Sequence, residues 1–245
     1  MGRYSFNARV RFSEVAEDQK LDLASVIDYF QDCSTFQSED LGIGYDWLAA
    51  QGLAWLLVRW QIVLHRLPKL CEEIRVTTWP YRFSHTLGSR NFILETADGE
   101  LLAEADSLWL LVRLDTGEPV RVSDDQVRLY APIDPLDMDY APRKIRLPKT
   151  EGKALEPFRV VSSNLDSNHH VNNGQYPKMA ENYLPDGFEP GEVRIEYRKS
   201  ALLGDLITPV VYDAGDEFFV DLTDAEGSTY AITHFIRRKT AEPQP

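Results

Sequence analysis

The sequence predicts an α+β fold in which one unit, a helix followed by an antiparallel sheet, occurs twice. An internal repeat is the first observation: at an offset of 150 positions, Arg9 aligns with Arg159 and Val15 with Leu165. The second is that both halves show helical periodicity once and then several alternating stretches. The third is an irregular segment between them, residues 115–156. Because self-similarity at a fixed offset constrains a whole fold, we expect two copies of one architecture.

The first copy begins with a strand and a long helix. Residues 6–12 alternate apolar and polar side chains, which predicts a strand. Residues 22–38 carry apolar side chains at helical spacing, and Gly42 and Gly44 mark the end of that helix. Four further strands are predicted over residues 55–65, 73–82, 84–96 and 101–114.

The second copy repeats this order with different polar residues. A strand is predicted over residues 157–163, followed by a polar loop. A helix is predicted from Asn172 or Asn173 to Leu184, and the other strands within residues 191–239. The offset between the copies shrinks from 150 to about 126 along the chain, which indicates an insertion in the first copy.

These assignments divide the chain into three parts. Residues 1–114 form the first repeat, residues 115–156 a linker rich in Pro, Asp and Lys, and residues 157–245 the second repeat. A sheet wrapped around one long helix is the hot-dog arrangement, so the predicted architecture is a tandem, or double, hot-dog. A single copy would leave an apolar face and a sheet edge exposed, and fusing two copies covers both.

Composition places the chain among ordinary globular proteins, with 43% hydrophobic and 27% charged residues. No stretch approaches the roughly 20 apolar residues of a membrane span, and the first residues lack the apolar core of a signal peptide. The two cysteines, Cys33 and Cys71, form no CxxC pair, which favours a cytoplasmic location with reduced thiols. The net charge of −13 argues against nucleic-acid binding, which requires a basic face.

The polar loop of the second copy concentrates groups suited to acyl transfer. Asp166, Asn168 and His170 follow one another at a spacing of two, which in an extended chain places them on one side. An imidazole oriented by a carboxylate can act as a general base on water near neutral pH. Backbone amides at the start of the following helix can stabilise a developing oxyanion. Base, orienting acid and oxyanion donors are the groups that acyl transfer needs.

Two other interpretations of this loop exist. Asn, Asp and Ser also favour plain polar turns, through hydrogen bonds to their own backbone. The repeat favours chemistry, because the first copy keeps the apolar positions but has no His or Asn at the aligned polar ones. A metal site formed by His169 with Asp166 is disfavoured, since adjacent residues of an extended chain face opposite ways.

Residues 166–176 resemble the active-site signature of the acyl-(acyl-carrier-protein) thioesterases, the plant plastid enzymes and their bacterial relatives. That signature reads Asp-x-Asn-x-His-Val-Asn-Asn-x-x-Tyr, and every specified position is present. Residues 196–199, Glu-Tyr-Arg-Lys, resemble the start of the family's next strand. The resemblance extends over nearly the whole chain. It implies that Asp166, Asn168 and His170 are catalytic. We expect Asn172, Asn173 and Ser200 to bind the substrate, Ser200 as a hydrogen-bond partner beside the catalytic group.

The roles implied by the resemblance leave the mechanism open. His170 activates water or assists a carboxylate nucleophile, Asn168 holds substrate or water, and Asp166 orients His170 or attacks directly. Plant members follow Tyr-Arg-Arg with Glu-Cys, whereas Ser200 and Ala201 occupy those places here. A cysteine nucleophile is therefore absent, and catalysis must rest on the Asp-Asn-His group.

The resemblance implies hydrolysis of fatty acyl thioesters of acyl carrier protein (ACP) to free fatty acid, without a cofactor or metal. The second repeat holds the chemistry, and the first shapes the acyl pocket. No membrane or nucleic-acid partner is implied, and a homodimer is left open. ACP is acidic like this chain, so attraction needs a local basic patch. One such cluster lies in the linker: Arg143, Lys144, Arg146, Lys149 and Lys153.

Two alternatives stay open beside this function. An acyl-coenzyme A thioesterase on the same fold would use the same residues, and the phosphates of coenzyme A also suit a basic patch. A catalytically silent protein that binds acyl chains or ACP is the other alternative, and Ser200 and Ala201 keep it open. Acyl chain length and saturation are not determined by the sequence.

Overall fold

The structure is a computed structural model that describes residues 2–166 and 168–239. Ser167 of the polar loop lies outside the described residues. So do residues 241–245, which we expect from the sequence to form a frayed tail. No helix in the described ranges is long and apolar enough to cross a membrane.

The chain divides into two compact units. The first contains the described residues up to Trp60 together with His65–Ala141, and the second contains Gln61–Leu64 together with the described residues from Pro142 onward. Each unit has its own helices and its own antiparallel strand order.

The first unit wraps a sheet around one long helix. Its strands pair in the order β1-β3-β4-β5-β2, and β1, β3, β4 and β5 pair antiparallel. The predicted helix and the four strands that follow it are confirmed, with ends shifted by a few residues. In chain order the elements are β1 (Tyr4–Arg9), α1 (Leu23–Asp40), α2 (Tyr45–Ala50), β2 (Leu53–Leu64), β3 (Glu73–Ser84), β4 (Leu87–Thr96), β5 (Leu101–Arg113) and α3 (Asp124–Tyr130).

The core of the first unit lies between α1 and the sheet. Phe30 of α1 packs its ring 5.9 Å from Trp60 and 5.1 Å from Phe92, centroid to centroid. Cys33, one helical turn further, is buried, and its Sγ lies 3.5 Å from the Val76 carbonyl oxygen. Burial raises the pKa of this thiol to about 12. Cys33 is therefore a structural residue with little thiolate at neutral pH.

A buried ion pair lies in the same sheet. Arg59 of β2 pairs with Asp106 of β5, whose side chain is fully buried. The Tyr81 hydroxyl donates a second hydrogen bond to this carboxylate at 3.0 Å. The ring of Tyr140, from the predicted linker, lies 5.8 Å from that of Tyr81, and its hydroxyl bonds Asn91 Oδ1 at 3.0 Å. The linker segment thus packs on the strands.

The predicted linker also contains a short helix that the sequence does not predict. The Ser123 hydroxyl accepts a hydrogen bond from the Gln126 amide at 3.2 Å, which caps α3. Seven residues are too few for helical periodicity to show in the sequence. Further on, in the second unit, the Ile145 amide donates to Glu196 Oε2 at 2.7 Å.

The second unit has the same strand order as the first. Its strands pair as β8-β11-β10-β9-β6, and β7 also pairs with β9. Arg9 in β1 pairs with Glu73, and the aligned Arg159 pairs with Leu206. The repeated order and register confirm the tandem hot-dog fold. The elements are β6 (Lys153–Ala154), β7 (Phe158–Arg159), α4 (Gln175–Glu181), β8 (Pro190–Tyr197), β9 (Leu206–Asp213), β10 (Glu217–Thr223) and β11 (Thr229–Arg237).

Two predicted elements of the second unit are shorter than expected. The strand predicted over residues 157–163 is only β7, and the chain then forms a short 3-10 turn at Ser162–Asn164. The predicted long helix is only α4, seven residues instead of the 18 of α1. Pro185 disfavours a helical conformation at Leu184, and the chain leaves the helix in tight turns. The prediction of one long helix in each copy was therefore wrong for the second copy, whose helix has seven residues.

Buried His234 makes the stability of the fold depend on pH. Its ring stacks on Phe219 at 3.9 Å, its Nε2 lies 2.8 Å from Glu217 Oε2, and burial lowers its pKa to about 4. Between pH 6.5 and 4 the unfolded chain binds the proton and the folded chain does not, so stability falls as pH falls. We expect His234 to account for about 2 kcal/mol of the decrease in the free energy of unfolding between pH 7 and pH 5. Urea unfolding of His234→Phe, which does not titrate, should show a smaller loss, and an equal loss in both proteins would contradict the assignment.

Candidate active site

The polar loop of the second unit is a tight turn between two paired residues. Leu165 and Val171 form an antiparallel bridge. Inside it, the Asp166 amide donates to the His170 carbonyl at 2.8 Å, and the His169 amide donates to the Asp166 carbonyl at 3.1 Å. His169 has a positive φ of 61°, the left-handed conformation that lets the chain reverse here. The turn brings Asp166, Asn168 and His170 together within five residues.

This turn corrects the assumption that residues 166–170 are extended. Asp166 Oδ1 accepts hydrogen bonds from the backbone amides of Asn168 at 2.8 Å and His170 at 3.2 Å. An Asp side chain that binds amides two and four residues ahead stabilises a turn. The carboxylate is thus engaged with the backbone. Within the described residues no hydrogen bond to the His170 imidazole is present, and that side chain is exposed.

The two asparagines that follow shape the start of α4. Asn172 Oδ1 accepts from the Gly174 amide at 2.8 Å, and the Asn172 carbonyl accepts from the Gln175 amide at 2.9 Å. The Asn173 carbonyl accepts from the Tyr197 hydroxyl at 2.9 Å. The amides of Gly174 and Gln175 are therefore used inside the turn. The Asn172 amide also has a partner, the Asn164 carbonyl at 2.9 Å, so these three amides are not the free oxyanion donors that we expected.

The segment that carries Ser200 lies beside the His170 turn. His170 forms a bridge with Leu202, and the Val171 amide donates to the Ala201 carbonyl at 3.0 Å. Ser200 is exposed, whereas Ala201 is fully buried. The Ala201 amide donates to the Tyr176 hydroxyl at 2.9 Å. The structure thus places Ser200 next to residues that contact the turn directly.

Tyr176 is a site residue that the sequence interpretation missed. Its side chain is 2% exposed, and burial raises the pKa of its hydroxyl to about 12, with Asp166 and Asp205 adding to the increase. The phenol is therefore neutral near pH 7. Its place at the end of the Asp-x-Asn-x-His-Val-Asn-Asn-x-x-Tyr pattern was the available signal.

Charged side chains fix the rest of this segment. Asp205 Oδ2 accepts from the Leu202 amide and from the Tyr230 hydroxyl, both at 2.9 Å. The Lys199 ammonium donates to Asp224 at 2.7 Å, and this partner raises the pKa of the lysine. Residues 199–205 are thus tied to the turn after β10 through Asp224 and to β11 through Tyr230.

The first unit contains the same turn with different side chains. The Ala16 amide donates to the Lys20 carbonyl at 2.9 Å and the Gln19 amide to the Ala16 carbonyl at 3.0 Å. Gln19 has a φ of 62°, against 61° for His169. This turn has no Asp at its first position, and the Lys20 amide instead donates to Asp18 Oδ1 at 3.1 Å. The same backbone turn is thus built with two different sets of side chains.

Two family models match the chain. The acyl-ACP thioesterase N-terminal domain covers residues 2–130, and the acyl-ACP thioesterase C-terminal domain covers residues 148–243. Their order follows that of the two structural units.

The curated relatives are longer than this chain. It is 24% identical over 212 residues to a chloroplastic acyl-[acyl-carrier-protein] hydrolase of Cuphea viscosissima, covering 79% of this chain and 51% of that protein. It is also 24% identical over 244 residues to the chloroplastic oleoyl-acyl carrier protein thioesterase 2 of Arabidopsis thaliana, covering 90% of this chain and 66% of that protein. The chain therefore spans half to two thirds of the length of these relatives.

A solved structure shows the same fold over almost the full length. The crystal structure of an acyl-ACP thioesterase from Bacteroides thetaiotaomicron superposes with a TM-score of 0.88 at 20% identity, covering 96% of this chain and 98% of that chain. Since the two family models together match most of the sequence, this chain belongs to the acyl-ACP thioesterase family.

Proposed function

We propose that this chain hydrolyses fatty acyl thioesters of ACP, releasing free fatty acid and the carrier thiol. The observation that carries the proposal is the pair of matching turns. Only the second copy carries Asp166, Asn168 and His170, on a backbone that the first copy builds without them. Membership of the acyl-ACP thioesterase family supports the reaction class.

In the proposed reaction, His170 takes a proton from water as the oxygen attacks the thioester carbonyl. The carbon–sulfur bond then breaks, and the proton passes to the leaving thiolate. The Asn168 side chain holds the water or the carbonyl oxygen. Asn172, Asn173 and Ser200 would contact the substrate around this centre.

Asp166 has two roles open to it. Its Oδ1 already accepts two backbone amides, so any orienting bond to the His170 imidazole falls to Oδ2. Direct attack by this carboxylate would give an acyl-Asp anhydride, which water then hydrolyses. Either role places the reaction within residues 157–245, and residues 1–114 then serve to bind the acyl chain.

A silent binding protein is the second candidate, and Ser200 with Ala201 is the observation that favours it. Plant members carry Glu-Cys at those positions, and Ala201 offers no side-chain nucleophile. Such a protein would bind acyl chains or acyl-ACP tightly without turnover.

The proposed function includes a cytoplasmic setting. Cys33 and Cys71 are both free thiols, and Cys71 is exposed, which suits a reducing compartment.

The function is tested by thiol release from ACP and coenzyme A thioesters of one acyl chain. We expect turnover of both and a higher kcat/KM on the ACP thioester, because a carrier protein adds contacts that coenzyme A lacks. A higher kcat/KM on coenzyme A would assign the enzyme to the alternative substrate. Binding of acyl-ACP without release of thiol from either substrate would support the silent protein.

A further inference from the structure

The Tyr176 hydroxyl accepts a hydrogen bond from a buried backbone amide beside the His170 turn. The Ala201 amide donates to the Tyr176 hydroxyl at 2.9 Å, and the Ala201 carbonyl accepts from the Val171 amide at 3.0 Å. Residue 201 is thus held through both of its backbone polar groups. The next residue, Leu202, bridges directly to His170. The position of this segment therefore depends on the phenol.

A second tyrosine acts on the other side of the same loop. The Tyr197 hydroxyl donates to the Asn173 carbonyl at 2.9 Å. The rings of Tyr176 and Tyr197 meet edge to face, with centroids 5.8 Å apart. The ring contact thus joins α4 to the end of β8, and the Tyr197 hydroxyl ties both to the backbone of Asn173.

The first copy shows that the fold does not need these hydroxyls. The Leu21 amide donates to the Pro68 carbonyl at 2.9 Å, which is the counterpart of the bond from Val171 to Ala201. Proline has no N–H, so Pro68 needs no acceptor. The residue aligned with Tyr176 is Val26, which has no hydroxyl to serve as one. The amide and its phenol acceptor therefore occur together, and only in the copy that carries His170.

We propose that Tyr176 is a positioning residue for the proposed hydrolysis, on which this inference rests. Its hydroxyl fixes residues 200–202 relative to the His170 turn. Ser200 and the backbone of Leu202 then keep a constant placement around the imidazole. Tyr197 acts in the same sense by fixing Asn173. Neither phenol is required to touch the substrate.

The test is Tyr176→Phe, which removes only the hydroxyl. We expect kcat on an acyl-ACP thioester to fall about tenfold with KM within about twofold, since a buried amide left without its acceptor shifts the segment. Tyr197→Phe should lower kcat in the same way. Tyr183→Phe, two residues after α4, is the matched control and should leave both constants unchanged. An unchanged kcat in Tyr176→Phe would reduce the contact to a structural one and overturn the proposal.

Amide hydrogen exchange separates this inference from the proposed function. In Tyr176→Phe the exchange of residues 198–205 should speed up, while exchange across β3 and β4 stays unchanged. This readout does not depend on turnover. Unchanged exchange in residues 198–205 would show that the Tyr176 hydroxyl does not hold this segment in place. A wild-type protein without thioesterase activity would overturn the proposed function, and the exchange experiment would still decide whether the phenol holds the segment.

Discussion

Replacing His170 with alanine is expected to lower kcat on a long-chain acyl-ACP thioester by a factor of at least about 100. Loss of a positioned general base typically costs two to four orders of magnitude in rate. The change should not unfold the protein, because Lys20 occupies the same place in the matching turn of the first unit. Thiol release by the wild type and the variant, at equal concentration and at neutral pH, gives the comparison.

The neighbouring histidine supplies the control for this result. His169 is exposed and holds the positive φ of the turn, a conformation that Asn tolerates well. His169→Asn should therefore keep kcat within a few-fold of the wild type. Equal losses in both variants would indicate damage to the turn rather than loss of a base. Full activity in His170→Ala would remove the imidazole from the mechanism.

Replacing Asp106 with alanine is expected to lower the free energy of unfolding by about 3–5 kcal/mol. The change leaves the Arg59 guanidinium, whose side chain is 12% exposed, without its carboxylate. It also removes the acceptor of the Tyr81 hydroxyl. Urea unfolding of the wild type and the variant at pH 7 measures the difference.

Two further variants show whether the loss comes from the unpaired charge. Replacing both partners with apolar residues, Arg59→Met with Asp106→Leu, should recover most of the stability, because no uncompensated charge is left buried. Asp125→Ala breaks an exposed pair with Arg128 and should cost less than about 1 kcal/mol. A loss in Asp106→Ala no larger than this control would contradict the assignment.

The sequence predicted the elements whose patterns are long and regular. Helix α1 has 18 residues, enough for a clear apolar face, and β2 to β5 have 10 to 13 residues each. Elements of two to seven residues, such as α3, β6 and the shortened α4, were missed or misjudged because one or two turns carry no periodicity. Pro185 was visible in the sequence, but its effect depends on how far the preceding helix extends.

The location of the candidate site was predictable, whereas its internal bonding was not. Spacing alone placed Asp166, Asn168 and His170 on an extended chain, but the Asp166 carboxylate competes for backbone amides and closes a turn. The bond from Ala201 to Tyr176 joins positions 25 residues apart, so no local pattern reveals it. Comparison of the two copies provides the signal. The first copy has Pro68, which has no amide N–H, where the second copy has Ala201, whose amide needs an acceptor.

The matching turns also bear on how the reaction could be engineered. The turn forms around Ala16 as well as around Asp166, but in each copy a carboxylate accepts backbone amides of the turn. Asp18 accepts that of Lys20, and Asp166 accepts those of Asn168 and His170. When positions 166, 168 and 170 are randomised, we expect the turn to be kept in library members that have a carboxylate at position 166 or 168. Selection could then act on chemistry alone within such a library, and the first copy provides a sequence known to be compatible with the frame.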